Sequence, residues 1–172
     1  MLAAVLLAAS PAAKISRSPV LIRNGPNKID FAGDGSHGLI VKAHRENGNA
    51  HSFEAVSFYL LVEDSWNIVP IGWGEGEQDM LRIAGGADCV LHDFRLLPGG
   101  KDQPATLILA DREIGESFAD TRDVTFTWYS LVHNLHDQDP LGPNYYFQKS
   151  RTETSKKPYC DVEEAFKEEL QY

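Results

Sequence analysis

Residues 29–51 read IDFAGDGSHGLIVKAHRENGNAH, and this stretch decides the fold. Two turn signals, Asp34-Gly35 and Asn47-Gly48, bracket a run in which Leu39, Val41 and Ala43 alternate with Ile40, Lys42 and His44. Period-two alternation sends successive side chains to opposite faces of a half-buried strand. Asn-Gly suits the two-residue turn of a hairpin, since both central positions tolerate positive φ. The stretch therefore predicts antiparallel β structure.

Outward from it, turn signals recur about every ten residues, with β-rich runs between them. Strands are expected at residues 19–22, 28–31, 38–45, 52–63, 67–71, 89–97, 105–112 and 123–132. The FYLLV half of 52–63 is apolar on both faces and belongs in the centre of a sheet. In Val124-Thr125-Phe126-Thr127-Trp128, large apolar residues alternate with threonine. Gly72 to Asp79 reads as a loop, and the MLRIA run after it as strand or helix. Pro98-Gly99-Gly100 reads as a turn between two antiparallel strands.

Residues 161–170, DVEEAFKEEL, carry the one clear helix signal, with Asp161 as N-cap and Glu164 completing a capping box. Val162, Ala165, Phe166 and Leu170 share one face. The fold class is all-β and mainly antiparallel: a β-sandwich or open barrel of about eight or nine short strands with one C-terminal α-helix. No repeat, low-complexity tract or linker divides residues 13–172, which read as a single β-rich domain.

The 172 residues carry 16 Lys and Arg against 25 Asp and Glu, a formal charge of −9. That balance argues against nucleic acid, whose phosphates require clustered basic residues. A chain of this size buries roughly 70% of its unfolded surface and needs no metal merely to fold. The opening MLAAVLLAASPAA is apolar and ends in small residues, so residues 1–12 read as a signal peptide cut after Ala12. A basic n-region is missing, and the simplest repair is a true start upstream of Met1. The run is too short to span a bilayer, and no later stretch is long and apolar enough. The protein is thus expected to be periplasmic or secreted. In that setting Cys89 and Cys160 are expected to form a disulfide.

The polar cluster is the candidate site. Asp30 and Asp34 partly match a calcium loop, but Ala32 occupies the position of a middle ligand. A plain Asp-Gly turn is the simpler reading. His44 and His51 would face each other across the Asn47-Gly48 fold-back, with Glu46 or His37 as a third zinc ligand. Against both metals stands the reading in which Arg45, Asn47 and Asn49 hydrogen-bond neighbouring backbone and shape a binding rim. The ligand-binding set is His44, Arg45, Glu46, Asn47, Asn49, His51 and Trp73, the last in a Gly-rich acidic loop. The weaker metal set is Asp30, Asp34, His37, His44 and His51, for calcium or zinc; no other cofactor motif is present. His92-Asp93-Phe94-Arg95 and Asp111-Arg112-Glu113 read as strands joined by structural ion pairs on a wet face. Neither a nucleophile elbow (G-x-S-x-G) nor an S-x-x-K appears, so no catalytic residue is assigned.

Four runs together resemble one family: GDGSHGLIVKAHRENGNAHSFEAVSFYL (33–60), ADCVLHDFRLL (87–97), LILADRE (107–113) and YCDVEEAFKEEL (159–170). They are similar to the carbapenem intrinsic-resistance (CarG-like) proteins, exported β-proteins of Gram-negative bacteria. The resemblance implies a periplasmic protein that protects its producer without hydrolysing the drug, and it transfers no active-site residue. The expected function is a non-enzymatic, exported β-domain that binds a small molecule or an envelope protein. A metal-binding protein or metallohydrolase, and a structural role in the envelope, are the alternatives.

Overall fold

The computed structural model describes residues 17–48, 52–74, 76–84, 89–101, 103–135 and 140–172. The leader, Asn49 and His51 lie outside the described residues. Nine strands form two antiparallel sheets. Sheet A holds β1 (Gly25–Lys28), β2 (Gly38–Arg45), β3 (Phe53–Val62) and β4 (Ser65–Ile68) in sequence order, with β5 (Leu81–Ala84) pairing the first half of β3. Sheet B is β6 (His92–Leu97), β7 (Thr106–Arg112), β8 (Val124–His133) and β9 (Tyr145–Thr154).

The long β3 is central, as its two-sided apolar run requires. It pairs β2 on one side, and β4 and β5 on the other. The β3–β4 hairpin turns through Glu63 and Asp64, both at positive φ. This is the backbone of a two-residue turn that follows the twist of its strands. Residues 19–22 form no strand; Val20 donates a single backbone bond to Leu96 of β6.

Alternation assigns each strand's two faces. Ile40, Val56, Phe58, Leu60 and Leu81 of sheet A meet Phe94, Leu96, Leu107, Leu109 and Phe147 of sheet B in the core between the sheets. Phe58 stands edge-on to Phe31, Phe94 and Phe147. The outer face of sheet B builds a second core from Ile108, Ala110, Val124, Phe126 and Trp128, covered by Tyr159, Val162, Ala165 and Phe166. Strand β7 is therefore buried on both faces, which accounts for its unbroken LILA run.

The C-terminal helix begins at Val162 as expected, with Asp161 accepting the amide N–H of Glu163. From Phe166 to Leu170 it widens into a π-helical turn, which ends at Gln171 in the left-handed region. Cys89 and Cys160 are joined in a disulfide, with Cα atoms 5.7 Å apart, which ties the helix start to the approach of β6.

The expected Asp–Arg pairs across β6 and β7 do not form. Asp93 pairs with Arg95 along its own strand, and His92 reaches Asp111 across the ladder. Arg112 leaves the wet face because alternation turns it, like Ile108 and Ala110, toward the helix layer. It is 1% exposed and donates to the carbonyls of Glu113, Phe118 and Asp120.

Phe166 is fully buried against Phe126, with ring centroids 5.5 Å apart, and Arg95 lies over its ring. Phe166→Ala is expected to lower unfolding stability by about 3–5 kcal/mol, measured by urea denaturation.

Candidate functional site: an uncovered sheet face and the cleft at its edge

The two sheets differ in what lies on their outer sides. The helix contacts β6 and β7 of sheet B, and among the described residues no helix lies on sheet A. Since Ile40, Phe58 and Leu60 point into the core, their neighbours Leu39, Val41, Tyr59 and Leu61 point outward. Register sets Trp66 beside Leu61 and Ile68 beside Tyr59 on the same face. Trp66 and Ile68 are 47% and 37% exposed. An apolar sheet face open to solvent marks a contact surface more often than a random exposed leucine does.

At the edge of this face lies a cleft of about 370 Å³, lined by Lys28, Asp30, Ser36, His37, Leu61 and Trp66 among others. That volume falls within the range of small-molecule sites. Its wall is the 30–37 loop, and that loop is built by its own carboxylates. Asp30 accepts the N–H groups of Gly33 (2.7 Å) and Gly35 (2.9 Å), and Asp34 accepts that of Ser36 (2.8 Å). The Ser36 side chain and amide hold Asp34 below the ordinary carboxylate range, against the opposing effect of partial burial. Gly33 has positive φ and sits so close to the backbone of Gly99 that a Cβ would collide with it. Gly99 in turn donates to the Phe31 carbonyl. Strand β3 fixes the other end, where Leu61 N–H donates to the His37 carbonyl at 2.9 Å. His37 and Lys28 are exposed at the rim.

The second half of the sequence cluster lies elsewhere. Strand β2 separates His37 from His44 by seven residues, roughly 23 Å at 3.3 Å per residue, so the two cannot share one ion. The ladder places His44 opposite Glu54 and Arg45 opposite Phe53. His44 Nε2 is 3.5 Å from Glu46, whose other oxygen accepts Gly48 N–H (2.7 Å) and the Ser52 hydroxyl (2.9 Å). The Gly48 amide, then Ser52, then His44 hold the Glu46 carboxyl below its usual range. The Asn47 amide donates to Ser52 Oγ at 3.3 Å. Arg45 and Arg82 both lie over the Phe53 ring. The Glu46 carboxylate and the Ser52 hydroxyl shape this turn, while Arg45 lies against Phe53 and Asn49 is outside the described residues. Among the described residues no three His, Cys, Asp or Glu side chains gather as a metal site. Trp73 is half-buried, and the more exposed tryptophan is Trp66. Period-two reading of 65–68 behind a tight turn was the signal for it.

The fold is a two-sheet antiparallel sandwich in which a C-terminal helix covers one sheet and, among the described residues, no helix covers the other. The chain belongs to the CarG-like family, described as carbapenem resistance protein CarG-like, which matches residues 22–168. A solved structure described as the crystal structure of CarG is similar at TM-score 0.69 and 27% identity, covering 88% of this chain and 94% of that one. No curated protein matches the sequence.

The lowered Asp34 carboxyl has a signed consequence. A group whose folded value is depressed contributes stability that is full above its unfolded value, ~4, and is lost as pH falls through the folded value. The loss in urea midpoint caused by Asp34→Ala is therefore expected to be constant near neutrality and to shrink below pH ~4.

Proposed function

We propose that this protein is an exported, non-enzymatic binding protein that sequesters a carbapenem-type β-lactam in the Lys28–Trp66 cleft. The observation that carries this reading is an exposed Trp66 with Leu61 beside the Lys28 ammonium and the His37 ring at the cleft's rim. A bicyclic β-lactam offers a compact apolar body and one carboxylate, which match the aromatic wall of Trp66 and the Lys28 ammonium. Membership of a carbapenem-resistance family supports the choice of drug. Binding without turnover is supported by Asp30 and Asp34, whose carboxylates are held by amides of their own loop rather than poised as bases. Export is supported by the apolar leader and by the Cys89–Cys160 disulfide, a bond at home in oxidising compartments.

Calorimetric titration of the native protein with a carbapenem, followed by mass analysis of the recovered drug, tests this. Saturable binding, intact drug and an affinity reduced about tenfold or more by Trp66→Ala are expected. Absence of binding, or recovery of ring-opened drug, would contradict the reading. A protein partner on the same face is the second reading, favoured by the run of Tyr59, Leu61, Trp66 and Ile68 across three registered positions. A photo-crosslinker at position 68 in intact cells that captures no envelope protein would exclude it.

A further inference from the structure

One register row beyond the inter-sheet core, the inner face of sheet B turns polar. Phe94 and Leu109 are followed by His92, Asp111 and Thr125, which are cross-strand neighbours in a single row. His92 Nδ1 lies 2.9 Å from Asp111 Oδ1. Two clefts meet on this pair. One, of about 310 Å³, runs toward sheet A, with Leu81, Ile83, Leu109 and Tyr129 on its apolar side and Gln78, Arg82 and Asp93 on its polar side. Burial first, and then Asp111, pushes the Tyr129 hydroxyl above its ordinary value. The other, of about 460 Å³, runs toward the 113–123 loop and is lined by Arg112, Glu113, Arg122 and Asp123.

Beside the His92–Asp111 pair the second cleft holds further charges of both signs, with Asp120 as an electrostatic neighbour of Arg122. Arg112 satisfies three backbone carbonyls rather than a carboxylate. Among the described residues, Arg112, Glu113, Arg122 and Asp123 make no salt bridge with one another or with any other side chain. Opposite charges held apart in one concavity, beside a cleft whose apolar lining is Leu81, Ile83 and Leu109, are complementary to a molecule that carries both charges and a hydrocarbon group. An acidic cluster alone would select only a cation, and a basic one only an anion.

We propose that this double cleft binds a free α-amino acid with a branched apolar side chain. Its carboxylate would face Arg122 and its ammonium Glu113 and Asp123. Its side chain would pass the His92–Asp111 pair to reach Leu81, Ile83 and Leu109. This site is separate from the Lys28–Trp66 cleft, with which it shares no lining residue.

The full chain titrated with L-leucine, leucinamide and 4-methylpentanoate, by calorimetry and amide-resolved NMR, tests the proposal. Leucinamide lacks the carboxylate and 4-methylpentanoate the ammonium. Leucine is expected to bind about tenfold or more tightly than either analogue, shifting the signals of His92 and Arg122. Arg122→Gln, an exposed side chain whose loss leaves the backbone bonds to Tyr159 intact, is expected to bring leucine down to the affinity of leucinamide. Ile83→Ser is expected to weaken all three, and Trp66→Ala none. Equal affinity for the three compounds, no shift at ~10 mM leucine, or full affinity in Arg122→Gln would overturn the proposal.

Discussion

The seating of Phe166 on Phe126 is the contact on which the rest of this structure depends. A sheet has two faces, and a protein with two sheets and one short helix can cover only three of them. Here the helix takes the outer face of sheet B, so that sheet is buried on both sides. Sheet A keeps one face in the core, and among the described residues no helix covers the other. Every device near the C-terminus serves that seat. The disulfide ties Cys160 to Cys89 across 71 positions. The Tyr159 hydroxyl donates to Glu169 at 3.0 Å, and burial pushes that hydroxyl well above its ordinary value. Arg95 lies over the face of the buried Phe166 ring.

The same constraint determines where exposed apolar surface and clefts arise. With its outer side bare, sheet A presents Tyr59, Leu61, Trp66 and Ile68 as a patterned face. The 30–37 loop adds a rim whose path is set by the Asp30 hydrogen bonds and by the close approach of Gly33 to Gly99. At the other extreme, the inter-sheet core stops at Val56 and Leu109, and the inner faces become polar at Glu54, His44, His92 and Asp111. A sandwich whose facing residues turn polar cannot close by hydrophobic packing there, and a cleft remains.

Much of this was legible in the chain. The alternation in 38–45 located β2 to the residue, because one face is buried and one is not. Asp161 located the start of the helix because the N-cap requirement is local chemistry. Strand β9 was invisible for an equally physical reason: from Gln148 to Thr154 it is an exposed edge, rich in polar and charged residues, with no apolar period to read. Residues 19–22 look like a strand but lie beside β6 with one bond and no ladder. At the candidate site, the sequence reading merged two places into one cluster. Only the length of β2 shows that His37 and His44 stand at opposite ends. The roles of Trp66, Arg112 and the His92–Asp111 pair depend on register and on which layer covers which face, and neither is written in local composition.

The most direct test of the account is amide-resolved NMR mapping of a carbapenem on the full chain. The account predicts perturbations at Lys28 to Gly38, Leu61 and Trp66, with the helix and sheet B unaffected and the drug intact. Perturbations confined to sheet B or the helix, or none at saturating drug, would contradict it.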